Sequence, residues 1–306
     1  MRRKGLGRDL ALSIRMAFAL VLVVLVYVAL VLLVLAVLLA TILAVDSWSD
    51  ALYSVAFWLL VGFGLITVVL QGVDGVESAG LRAVGAKVLD PGEQPELEEL
   101  VARLAAEADI PVPRLALARS WAPNAFALGL TPTRAIVVVT TELLRRLDGD
   151  ELEAVIAHEL AHVANRDGMV MTFVAGPTLL GAGLWHSDDG RAKLLFFYYF
   201  PVFVVGSLLL WTMSRYREYI ADRGACLLTG RPEALQSALL KIAGTVPRGD
   251  LRGGAPVSAF CIVPAQRRLR WWQFFRRFEM FMDHPPIEKR IRRLAEIARD
   301  LGKAEH

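Results

Sequence analysis

From residue 16 to residue 45 the chain carries no charged side chain. About 20 consecutive apolar residues are enough for a helix to cross the ~30 Å hydrocarbon core of a bilayer. A helix apolar on every face over this length has no water-facing side, so it needs lipid or complete burial around it. The run therefore constrains the fold more than any other feature. A cleavable signal peptide is the competing reading. Its apolar stretch would be shorter, about 7–15 residues, so a retained helix is expected. Composition agrees: of 306 residues 55% are hydrophobic and 21% charged, and mean hydropathy is +0.47. That is too apolar for an ordinary soluble domain. A formal net charge of only +3 gives no basis for a nucleic-acid partner. Cys226 and Cys261 form no C-x-x-C pair. They suit packed thiols in a reducing compartment, with a disulfide as the alternative.

Three further apolar segments follow, at 51–70, 169–185 and 194–213, the second of them broken by Gly176-Pro177. The expectation is an integral membrane protein with about four transmembrane helices. A buried hairpin of core helices is the alternative for the last two. Arginine and lysine at residues 2–4, 8 and 15 place the N-terminus in the cytoplasm by the positive-inside rule. Residues 1–70 are then a transmembrane hairpin. Residues 71–168 form the first part of a cytosolic catalytic domain, 169–213 a second hairpin, and 214–306 the second cytosolic part. Fold class is α+β, mostly helical, with a small sheet. Periodicity predicts a helix over 95–109, strands over 114–118, 124–128 and 135–140, and a short helix capped by Thr140 or Thr141. Further helices are expected over 151–167, 231–244 and 287–300, and the fourth span should run on to Gly230. Residues 266–278 mix arginines with Trp271, Trp272, Phe274, Phe275 and Phe278. They suit either an interfacial amphipathic helix or aromatics packed on the domain.

His158-Glu159-Leu160-Ala161-His162 supplies the chemistry. Histidines four apart on a helix share a face, so both imidazoles can reach one metal ion. Glu159, one step round, is placed to act on a water there without being a ligand. This is the H-E-x-x-H pattern of zinc peptidases. With five histidines in the chain, an accidental match is expected in about one chain in a few hundred. Asp148 or Asp150 can cap the helix. Leu152, Val155, Ile156 and Val163 surround Glu159, so the carboxylate is buried and needs a compensating charge, which a dication supplies. A catalytic zinc takes three protein ligands and leaves one position open. Glu218 is the best third ligand, with Asp222 one turn on to support a ligand histidine. Asp167 is the alternative third ligand. The two apolar segments between His162 and Glu218 bring both ligand helices to the same side of the membrane.

Four stretches together resemble the HtpX-type membrane zinc endopeptidases, relatives of the CAAX prenyl endopeptidase. They are Asn124-Ala125-Phe126-Ala127, the H-E-x-x-H pentapeptide, Ser214-Arg215-x-x-Glu218-Tyr219-x-Ala221-Asp222, and His284-Pro285-Pro286 with Arg290 behind it. The resemblance implies a zincin-like catalytic domain and a glutamate third ligand at Glu218. It also implies that Asn124, Ala125 and Phe126 lie on a sheet edge where an extended substrate adds as a strand. The arginine- and aromatic-rich stretch at 266–278 departs from the pattern.

The expected activity is zinc-dependent endopeptidase action from the cytosolic side of the cell membrane on membrane or misfolded proteins, a quality-control role. Glu159 would serve as general base and acid. His284 or Arg290 would help to stabilise the oxyanion. Asn165 and Arg166 are expected to be structural, and His186 and His306 incidental. Partners are protein or peptide substrates and the lipid bilayer. The alternatives are a silent scaffold or chaperone with a structural zinc, and a processing protease for prenylated proteins.

Overall fold

The structure is a computed structural model that describes residues 80–172, 190–244 and 285–304 throughout, and single positions elsewhere. In chain order its elements are β1 (Ala86–Val88), α1 (Pro95–Glu107), β2 (Arg114–Ala118), β3 (Ala125–Leu128), β4 (Ile136–Thr140), α2 (Thr141–Arg146), α3 (Gly149–Ala164), α4 (Gly190–Thr229), α5 (Pro232–Ala243) and α6 (Ile287–Ala304).

The sheet is built round β4, whose Ile-Val-Val-Val-Thr run is buried at every position. β-Branched side chains pack well on a pleated surface, and an unbroken apolar run needs cover on both faces. Strand order is β1-β2-β4-β3, with β2 and β4 parallel and the outer pairings antiparallel. Side chains alternate faces along a strand. Leu115, Ala125, Val137 and Val139 therefore point to one side, into a core shared with α1, α3, α5 and α6. Ala116, Ala118, Phe126, Leu128, Ile136 and Val138 point to the other, against Leu81 and Val84.

α3 lies at the centre and packs against α4, α5, α1 and β3. The expected all-round burial is observed from Ala154 to Val163. The helix ends three residues earlier than the pattern predicts. Arg166 takes a left-handed backbone, φ 57°, and reverses the chain before Asp167. α4 is one continuous helix with Pro201 inside it, stopped at Gly230 with φ 69°. The extension of the fourth apolar segment into the Glu218 region is thus present. β1 is an element that the pattern does not predict.

Among the described residues no helix is long and apolar enough to cross a membrane. The expected spans at 16–45, 51–70 and 169–185 fall mostly outside those residues, as do several side chains of 194–213. Residues 266–278, His284, His186, His306 and Cys261 lie outside them as well.

Candidate metal centre

The site begins at the cap of α3. Asp148 Oδ1 accepts the Glu151 amide at 2.9 Å and Glu151 Oε2 accepts the Asp148 amide at 3.0 Å, a closed capping box. Ser237 Oγ and Lys241 Nζ from α5 both donate to the Glu151 carboxylate at 2.6 Å. This fixes the start of the helix and with it the direction in which the next turns present their side chains. Two and three turns on, His158 and His162 stand edge to face, ring centroids 4.7 Å apart, with their Nε2 atoms 3.2 Å from each other.

Glu218 arrives from α4. Its Oε2 lies 3.6 Å from His158 Nε2 and its Oε1 3.6 Å from His162 Nε2. Donor atoms of His158, His162 and Glu218 all fall within 4.8 Å of one another, and all three residues are buried. The approach of the two helices explains how. A Cβ on Gly224 would come within 2.7 Å of Ala161 Cβ, so α4 rests directly on the middle of the H-E-x-x-H turn.

Both imidazoles are backed on their far nitrogen. Asp222 Oδ1 lies 3.1 Å from His158 Nδ1. Asp167 Oδ2 lies 2.6 Å from His162 Nδ1. Asp167 is therefore not the third ligand, because its oxygen is committed on the side of the ring away from Glu218. Arg290 of α6 donates to both Asp222 oxygens, at 2.9 and 2.6 Å, and its Nη1 lies 3.2 Å from Glu218 Oε2. The sequence suggested an oxyanion donor for Arg290. It is neither exposed nor aimed at a substrate: 1% of it is accessible and its guanidinium is occupied by the two carboxylates. Arg217 Nε lies 3.1 Å from Asp167 Oδ2.

These charges set the protonation preferences of the side chains themselves. Burial by itself would push His158 down, but Asp222 and Glu218 outweigh it and hold its pKa up to about 9. Burial opposes the charge on Asp222, and Arg290 with His158 reverses that, leaving its pKa below the usual carboxylate value. Burial raises the pKa of Glu159 against the pull of both histidines. Glu159 is 1% accessible and its Oε2 has no hydrogen-bond partner among the described residues. An orphaned buried carboxylate oxygen beside two imidazoles and a second carboxylate fits a bound dication with a polar guest next to it. The two-nitrogen, one-oxygen donor set suits zinc.

A cleft opens beside Glu159 and His162 and is lined also by Ala127, Gly129, Thr131 and Arg166. β3 is the outer strand on this side of the sheet. Asn124 is buried and tied through its backbone to Thr140: its amide donates to Thr140 Oγ1 at 2.8 Å, and its carbonyl accepts the Thr140 amide at 3.0 Å. Phe126 packs on the sheet face away from α3, so its side chain is turned from the metal residues, and the cleft lining begins one residue later at Ala127.

A buried carboxylate next to a three-donor metal set on crossed helices is an arrangement that suits a metallopeptidase. Residues 91–298 match the model of Peptidase family M48, and the chain belongs to that family of metalloprotease hydrolases. It is 38% identical to "Protease HtpX homolog 2" of Methanosarcina acetivorans, over 72% of this chain and 79% of that protein. It is 39% identical to "Protease HtpX homolog" of Moorella thermoacetica over 72% and 78%. Against "Protease HtpX homolog 1" of Streptomyces coelicolor identity is 37% over 80% and 86%. A solved structure described as "Crystal Structure of S. mikatae Ste24p" overlaps it with TM-score 0.47 and 17% identity, over 78% of this chain and 58% of that one.

Proposed function

We propose that the protein is a zinc endopeptidase of the cell membrane that hydrolyses peptide bonds of membrane or misfolded proteins from the cytosolic side, in protein quality control. The observation that carries this reading is the buried His158, His162, Glu218 donor set with the unpartnered Glu159 oxygen beside it. Zinc, when bound there, supplies Lewis-acid polarisation of the scissile carbonyl and acidifies the attacking water. Glu159 takes the proton of that water and passes it to the leaving amine. Its raised pKa in a dry setting suits both halves of the transfer. Asp222 holds His158 in orientation. His284, just before buried Pro285 at the start of α6, is our candidate donor to the developing oxyanion. Among the described residues no fourth metal-binding side chain joins the three, as an open catalytic position requires.

The substrate would lie along β3. The Asn124 carbonyl accepts the Thr140 amide in register with the β3–β4 pairing. Alternation along an antiparallel ladder then turns the amide and carbonyl of Ala125 and Ala127 outward. An extended peptide can pair with these groups, which favours unfolded segments over folded proteins. Lipid contact is supported by the described helical positions Phe18, Leu25, Leu32, Leu39 and Leu43, which stand more than half exposed. Water does not favour such a surface.

The test is cleavage of an unfolded protein by the detergent-solubilised enzyme, with products read by mass spectrometry. Internal cleavage that stops on chelation and returns with zinc is expected. Zinc-independent cleavage, or removal of terminal residues alone, would overturn the reading.

A further inference from the structure

We infer that Asp167 and Arg217 are positioning residues that set the tautomer of His162 and so prepare it to bind metal. The inference rests on the zinc-peptidase reading of the site, but not on catalysis. Asp167 and Arg217 are 3% and 2% accessible. One carboxylate oxygen, Asp167 Oδ2, lies 2.6 Å from His162 Nδ1 and 3.1 Å from Arg217 Nε. An ionised carboxylate only accepts hydrogen bonds. His162 Nδ1 must therefore carry the proton, and Nε2 keeps its lone pair toward Glu218 and His158. Arg217 places its guanidinium against the same oxygen and holds the carboxylate in this orientation.

The backbone is built to deliver this contact. Arg166, left-handed at φ 57°, folds the chain back so that Asp167 returns beside the turn carrying His162. Gly168 follows, so close to the Gly129 carbonyl that a Cβ there would collide with it. The turn is thereby seated on the loop that ends β3. Arg217 adjoins Glu218 in sequence, so one turn of α4 provides both the third ligand and the lock on His162.

The experiment uses the full chain in detergent with ¹⁵N-labelled histidine. In the zinc-free wild type the His162 ring, assigned by its loss in His162→Gln, should show one tautomer with the proton on Nδ1. In Asp167→Asn the amide can donate as well as accept, so the signal should become a mixture or reverse. Zinc affinity, measured by chelator competition, should fall about 10–100-fold, with circular dichroism unchanged. At saturating zinc kcat should fall while KM stays. Arg217→Gln should show the same signature more weakly, and Arg217→Lys should largely restore it. An unchanged tautomer and zinc affinity in both Asp167→Asn and Arg217→Gln would overturn the inference. So would a loss of affinity that merely tracks loss of fold. The ring signal is read without zinc or substrate, so it can fail while the peptidase activity stands, and the reverse.

Discussion

Arg290 occupies a position where an apolar residue would be expected. On α6 it shares a face with Ile287, Leu294 and Ile297, which pack into the core, and it is itself buried. Removing one partner of a buried ion pair strands the other, at a cost of about 3–5 kcal/mol. Arg290→Ala should therefore lower stability to denaturant and also weaken zinc binding, since Glu218 and Asp222 lose their shared clamp. Arg290→Lys should recover part of the stability but not the two-pronged hold on Asp222. A control without charge is Cys226, which is buried and whose thiol burial pushes up to about 12. Its contribution to stability is complete below the ordinary thiol pKa near 9 and is lost as pH rises toward 12. In the native protein at pH 8 it should resist thiol reagents and should label only on unfolding, as read by peptide mass spectrometry. Helix spacing singled out His158, Glu159 and His162 in the sequence, and Glu218 was picked from its E-x-x-x-D spacing with Asp222, the two apolar segments before it and the family resemblance. Asp167 and Arg217 were not legible in the same way. Their roles depend on a left-handed residue and on an interhelical contact, neither of which periodicity encodes.

At the scale of elements, the crossing of α3 and α4 governs the site. Gly224 lets the helices meet at Ala161, and ligands lie on both. In Gly224→Ala the added methyl must drive the helices apart and move Glu218 from the histidines. Chelator competition should show zinc released more readily in this variant. Ala161→Gly in the same chain should return affinity most of the way, because it reopens the space on the facing helix. Most elements followed from the sequence: β2, β4 and α1 from their apolar patterns, α2 and α3 from their caps. β1 did not. It is three residues long with one exposed, too short for alternation to register, and it exists because β2 offers it an edge. The premature end of α3 was hidden for a related reason, since nothing in the apolar pattern marks Arg166 as left-handed.

At the scale of the molecule, the sheet order β1-β2-β4-β3 could not be derived from local patterns, because it depends on which strands find each other across intervening helices. The membrane arrangement is the reverse case, where charge and apolar length in the sequence carry the argument. Reporter fusions at Asp46, Gly149 and Asp188 should report outside, inside and outside. Gly149 reporting outside would contradict the cytosolic placement of α3. The central claim is that this buried site is a catalytic zinc centre in which Glu159 moves the proton. The most direct measurement compares cleavage of an unfolded protein by the zinc-loaded wild type and by a Glu159→Gln variant shown to hold one zinc. The account predicts cleavage by the wild type and a loss of at least ~100-fold in the variant. Equal cleavage by both would contradict it.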